Sequence, residues 1–331
     1  MSTINWLFEI NFAIFAVFLL LFVTELMGGV LLLIAYDATK SKVLPYIVPM
    51  WEVTGTFAAF WVVTADFAYP KMLWPVATML AGLILVFLIL IVVRNASISF
   101  AELIVRRGWL NERRLYQLYG LATLGIGLVV LVILSAIVSG AGVDLAATSF
   151  SLWGWVTSSG SLLYIVGVLF IAVGLAPVFY DIGPLRRLSL PLTTVGVVIE
   201  AASLYLYSSS LLSVYFLVPG VLTVAAALLY TVKATAPIAS HKFVFALLGA
   251  VIIFAQSYLV YPTAFQQAGG LSVDAVTTTG PMVGMFYVLT AVGAVVVGLL
   301  MVLYMLTVWR AERLPPSPAP SAPSMAPAHS P

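Results

Sequence analysis

The chain has 331 residues, of which 63% are apolar and only 8% charged, with a formal net charge of +2 and no cysteine. That balance excludes a soluble globular domain, and so small a net charge with no basic run argues against a nucleic-acid partner. Apolar stretches of about 20 residues or more, each able to cross roughly 30 Å of hydrocarbon as a helix, fill nearly the whole length. The expected class is an all-α polytopic membrane protein whose first surroundings are the lipid bilayer.

In chain order the apolar stretches read as nine transmembrane helices, over 6–36, 47–69, 72–101, 114–140, 159–182, 187–209, 211–233, 238–262 and 280–309. The first has no basic residue before it and no small-residue cleavage site, so it reads as a retained helix. Twelve of the 14 Lys and Arg residues then fall on one side: Lys40, Lys42, Arg106, Arg107, Arg113, Arg114, Arg186, Arg187, Lys233, Lys242, Arg310 and Arg313. Lys71 stands alone on the other side and Arg94 lies within a span. By the positive-inside rule this predicts a multi-pass protein of the cell membrane with its N-terminus outside and its C-terminus cytoplasmic.

The spacing suggests two four-helix bundles, residues 1–140 and 141–262, then an outer loop and an extra C-terminal helix over 263–313. Pro177, Pro191, Pro219 and Gly196 fall inside predicted helices, where kinks and close packing absorb such residues. The outer connections at 141–158 and 263–279 are the longest. Phe150, Trp153 and Trp155 predict a segment of the first lying at the membrane interface. From Leu314 onward, seven prolines in the last 17 residues, interleaved with Ala and Ser, predict a disordered cytoplasmic tail.

Three ionisable residues stand out within the first three spans, Glu25, Glu52 and Arg94. Each costs about 2.5–3.5 kcal/mol inside a membrane helix on insertion scales, so they are expected to pair or to line a wet path. At about 1.5 Å per residue all three fall in the half nearest the basic loops. Asp66 belongs to the opposite end of the second helix, and Glu200 lies near the middle of the sixth with no basic residue at its depth. Two uses are open for the trio: a salt bridge that holds helices together, or the handling of protons. The Gly28-Gly29 pair beside Glu25 lacks the setting of a nucleotide loop and predicts close helix approach.

Cofactor ligation is narrow. Without cysteine there is no iron–sulfur cluster, thiolate haem ligand or disulfide, and only two histidines exist, His241 in a basic loop and His329 in the tail. No haem is expected to be held by His or Cys of this chain, so a redox metal would come from a partner.

The stretch Pro49-Met50-Trp51-Glu52, continuing through Thr54, Phe57, Asp66 and Phe67 to Tyr69-Pro70, resembles the second subunit of cytochrome bd-type quinol oxidases. A Pro-x-Trp-Asp signature opens the second helix in that family, and a Phe-x-x-Pro-like ending closes it with the same spacing. Arg94 stands where the family's arginine near the end of helix 3 falls, and Glu25 lies near an acidic Asp-Gly-Phe-Asp segment of helix 1. The specific likeness covers about residues 20–100.

The resemblance implies a haem-free subunit II of a terminal oxidase that oxidises quinol and reduces oxygen. The haems would belong to subunit I, the main partner, with a small accessory membrane subunit as a further one. Glu52 would replace the signature aspartate as a proton-path carboxylate, with Trp51 as its buttress and Arg94 as its electrostatic neighbour; Phe57 and Asp66 would support it. The sequence departs from the pattern: Val53-Thr54-Gly55 stands for Gly-Asn-Glu, Phe57 for a tryptophan, the later aspartate of helix 1 is missing, and nine spans exceed the common eight. It reads as a divergent member. Two other classes compete, a quinone-interacting anchor of an iron–sulfur oxidoreductase and a secondary transporter with Glu200 at its centre.

Overall fold

The computed structural model describes residues 6–103, 111–233 and 242–313. The predicted tail from Leu314, His241, Arg106 and Arg107 lie outside the described residues.

The first helix, α1 (Trp6–Ala68), runs for 63 residues and is interrupted only at Ala35, whose φ of −145° and ψ of 46° leave the helical region. Its two limbs, 6–34 and 36–68, fold back on each other. The Asn11 side-chain amide donates to Thr64 Oγ1 at 3.1 Å, the rings of Phe15 and Trp61 lie 4.5 Å apart, and a Cβ on Gly28 would stand 2.5 Å from Ile47. α1 therefore supplies two crossings. The loop predicted over 37–46 is helical instead. Thr39 Oγ1 donates to the carbonyls of Leu31 and Ala35, at 3.2 and 2.8 Å, and so satisfies groups that the bend frees.

A second departure follows. The predicted helix 72–101 is divided into α2 (Pro70–Met79) and α3 (Ala81–Leu103), and only α3 is long and apolar enough to cross. Pro75 lies inside α2, and Leu80 leaves helical geometry. α4 (Glu112–Ser139) opens on Asn111, whose side chain accepts from the Arg114 backbone N–H at 3.0 Å, and closes on Gly140 in the left-handed region.

Beyond α4 a small hairpin, β1 (Val143–Asp144) with β2 (Ser149–Phe150), leads into α5 (Leu152–Val156). Trp153 is exposed, as an interfacial residue would be, but Trp155 is core: it is 2% exposed and its indole N–H donates to Ser135 Oγ at 2.8 Å. α6 (Ser161–Tyr180), α7 (Arg186–Tyr207), α8 (Val214–Thr231) and α9 (Lys242–Gln256) follow. The hairpin β3 (Thr263–Ala264) with β4 (Leu271–Ser272) and the short α10 (Val273–Val276) precede α11 (Pro281–Arg313). Pro177, Pro191 and Pro219 sit inside α6, α7 and α8.

Among the described residues seven helices have the length and hydropathy to span a membrane, α1 counted once, and a shorter apolar helix, Ala246–Leu259, runs through α9 and the turn that follows it. The protein is a multi-pass membrane protein. α6 and α7 pack closely: a Cβ on Gly196 would stand 2.7 Å from the Ile171 backbone N and 2.8 Å from the Gly167 carbonyl. Backbones approach this closely because both faces carry glycine. α1 touches α4, α6, α9 and α11.

Lys42, Arg113 and Arg186 form ion pairs at one end of the bundle. Arg113 pairs with Asp37 at 3.1 Å, while Asp181 takes Lys42 and Arg186, each at 3.5 Å, and the Tyr230 hydroxyl at 3.3 Å.

Candidate functional site

Three helices converge on one carboxylate. Glu25, ten residues before the Ala35 bend, is fully buried, and Arg94 of α3 is 4% exposed. Arg94 Nε donates to Glu25 Oε1 at 2.7 Å, and Arg94 Nη2 and the Tyr119 hydroxyl of α4 donate to the same oxygen. The guanidinium also lies over the Tyr119 ring, 5.9 Å from its centroid, and its Nη1 donates to Asn95 Oδ1 at 3.3 Å. Three donors thus meet Oε1, whereas Glu25 Oε2 is buried with no hydrogen-bond partner.

The local sequence explains why these groups meet. Gly29 of α1 and Gly120 of α4 face each other so closely that a Cβ on Gly120 would lie 2.5 Å from the Gly29 carbonyl oxygen. That approach brings Tyr119, the neighbour of Gly120, to the level of Glu25. The predicted role of Gly28-Gly29 in close packing holds in this form. On the far side of α1, the Tyr180 hydroxyl donates to the Thr24 carbonyl at 2.8 Å and ties α6 to the same turn. Low surrounding polarity makes such contacts strong and their loss expensive.

Glu52 is elsewhere. The pairing of the two α1 limbs puts it at nearly the depth of Glu25, but its side chain is exposed and no hydrogen bond or ion pair joins it to the triad. The electrostatic neighbour of Arg94 is therefore Glu25 and not Glu52. Glu52 shares its face with Gly55, Ala59, Val62 and Asp66, all exposed and spaced as one side of a helix. Trp51 is half-buried against the cluster of Leu31, Tyr46, Ile47 and Tyr180, and Phe57 is buried with Phe18, Phe22, Met50 and Val297. Both brace the limb that carries Glu52. Glu200 stands apart from this group, 7% exposed on α7.

Sequence reasoning passed over Tyr119 and Tyr180. A signal was present: Tyr119 falls about as far into α4 as Arg94 falls from the end of α3, next to a glycine. A phenol in an apolar helix carries no charge, however, and so raises no alarm in a hydropathy reading.

Chemically the triad can hold one negative charge against one positive charge deep in the bundle. The Glu52 face can present a carboxyl group to whatever covers it.

No protein-family model and no curated protein sequence matches this chain. Its structure is similar to a chain of the structure of bd oxidase from Geobacillus thermodenitrificans, with a TM-score of 0.59 and 17% sequence identity, over 93% of this chain and 99% of that one. What that similarity establishes is the fold: the chain has a bd-oxidase-like fold over nearly its full length.

Proposed function

We propose that the chain is the haem-free subunit II of a cytochrome bd-type quinol oxidase, a respiratory oxidoreductase of the cell membrane, with its basic end in the cytoplasm. The observation that carries this reading is the fold likeness to a bd oxidase chain, which extends across almost all of both chains. The Trp51-Glu52 signature and a sequence with two histidines and no cysteine support it.

In this reading the haems, the quinol-oxidising site and oxygen reduction belong to subunit I. This chain contributes Glu52. An exposed carboxyl inside a membrane limb would be costly against lipid, so the face from Glu52 to Asp66 is covered by subunit I. The small Gly55 and Ala59 on that face let a partner helix approach closely. Glu52 then lies at the junction of the two subunits, in the half nearest the cytoplasm, where it can accept and release protons that oxygen reduction consumes. Trp51 and Phe57 fix the limb that presents it. The Glu25, Arg94 and Tyr119 triad keeps α1, α3 and α4 in register beneath that face.

The test is purification of the complex from its own membranes. A copurifying haem-bearing subunit visible by absorption spectroscopy supports the assignment, whereas an iron–sulfur partner, or a pure chain without haem, overturns it. Within a haem-loaded complex, Glu52→Gln should slow quinol-driven oxygen consumption by about a hundredfold or more with haem content unchanged, the range of a lost proton-transfer group. Unchanged turnover at normal haem content would remove Glu52 from the proton path.

A further inference from the structure

A cavity of about 290 Å³ lies among the first limb of α1, α4, α6, α7, α8 and α9. It has the volume of about ten water molecules, or of a chain of about ten methylenes. Its walls are largely Leu, Ile, Val and Phe, with Glu200 and Tyr164 among the few polar exceptions. From Tyr164 to Phe179 the α6 wall runs for about 22 Å at the helical rise, so the space is elongated along the helices.

Glu200 is the unusual member of this lining. It is 93% buried, it borders the cavity, and no described residue gives its carboxyl group a hydrogen bond or an ion pair. The Thr223 hydroxyl in the same wall is already used, donating to the Pro219 carbonyl at 2.8 Å. Among the described residues no Lys, Arg or His lines the space. A buried carboxyl is stable when it is neutral or when it meets a cation; Tyr164 and Gln256 share the lining but neither gives it a hydrogen bond, so a partner for it would come from the cavity.

The occupant follows from charge and shape. An anionic head would find no positive group. A cationic head would gain a Coulomb attraction strengthened by the apolar walls, together with a charge-assisted hydrogen bond. The alkyl part of any occupant is nearly as comfortable in lipid as in this cavity, so the head must supply the selectivity. We infer that the Glu200 cavity is a binding site for a single-chain lipophilic amine, with its ammonium group on Glu200 and its alkyl chain along the apolar walls. This site is separate from Glu52 and the triad and does not rest on the proposed oxidase role.

The experiment uses the full chain in nanodiscs and three probes that share a ten-carbon chain: decylamine, decanol and decanoate. Bound probe per chain is read by native mass spectrometry. Decylamine should bind with one molecule per chain, about tenfold or more tighter than decanol, and decanoate should not bind. Glu200→Gln should weaken decylamine by about tenfold or more, and Ala226→Phe, which fills the cavity and leaves the carboxyl in place, should do the same. Equal binding of the three probes, or decylamine binding unaltered in both variants, would overturn the inference. If Glu200→Gln does not fold, as judged by thermal unfolding, Ala226→Phe and the probe series decide the matter.

Discussion

Replacing Arg94 by methionine tests the buried triad most directly. The substitution removes two of the three donors to Glu25 Oε1, and Oε2 has none, so a fully buried carboxyl would keep only the Tyr119 hydroxyl. Breaking a buried ion pair from one side costs about 3–5 kcal/mol. That corresponds to about two to four powers of ten in the folding equilibrium. Replacing both charges, Glu25→Leu with Arg94→Met, removes the stranded charge but leaves the buried Tyr119 hydroxyl without its acceptor, a penalty of about 1–3 kcal/mol. Adding Tyr119→Phe should return the protein to within about 1 kcal/mol of the original. Unfolding of the purified protein, followed by denaturant titration in detergent, measures all of these variants. The reasoning fails if Arg94→Met is as stable as the parent, or if the triple variant is no more stable than Arg94→Met. Oxygen consumption by the assembled triple variant separates roles: support of packing predicts retained turnover, and a proton path through Glu25 predicts its loss.

Ser135→Ala strands the indole N–H of the buried Trp155 and should destabilise the protein by about 1–3 kcal/mol, with faster proteolysis in the 141–158 segment. Asp181→Ala releases Lys42, Arg186 and Tyr230 at the basic end. Because Lys42 and Asp181 are about half exposed, the loss should not exceed about 1 kcal/mol and should shrink at 0.5 M salt; a larger, salt-insensitive loss would contradict the exposed geometry. Gly196→Leu places side-chain atoms where Ile171 and the Gly167 carbonyl already are. It should force α6 from α7 and abolish the monodisperse folded species on size exclusion, and a normal profile would show that the two helices can separate at little cost.

The sequence was most legible where apolar runs end in ordinary caps and turns. The predicted 159–182, 187–209 and 211–233 correspond to Ser161–Tyr180, Arg186–Tyr207 and Val214–Thr231. It misled between the first two crossings, where Asp37, Lys40, Lys42 and Pro45 resemble a loop. Helix persists there because Thr39 recaptures the carbonyls at the bend, and the bend falls on Ala35, a residue with no turn signature. Depth was also legible, since counting from the basic loops put Glu25, Glu52 and Arg94 at one level. Rotation about the helix axis was not. Whether Glu25 or Glu52 faces Arg94 depends on how the limbs of α1 turn against α3 and α4, and that depends on the Gly29 and Gly120 contact, which no single helix reveals. Tyr119 was missed because an uncharged side chain shows its importance only through the group it meets.

The outward placement of Glu52 bears on how much of this protein a cell can keep. A newly made copy inserted alone would hold that carboxyl against acyl chains, at about 2.5–3.5 kcal/mol on insertion scales, a sizeable share of a typical folding free energy. If subunit I covers this face as proposed, an orphan copy would be less stable than an assembled one and so more open to membrane proteases. Abundance would follow the supply of the covering subunit, so the stoichiometry of the complex would be enforced by one exposed side chain without any dedicated regulator.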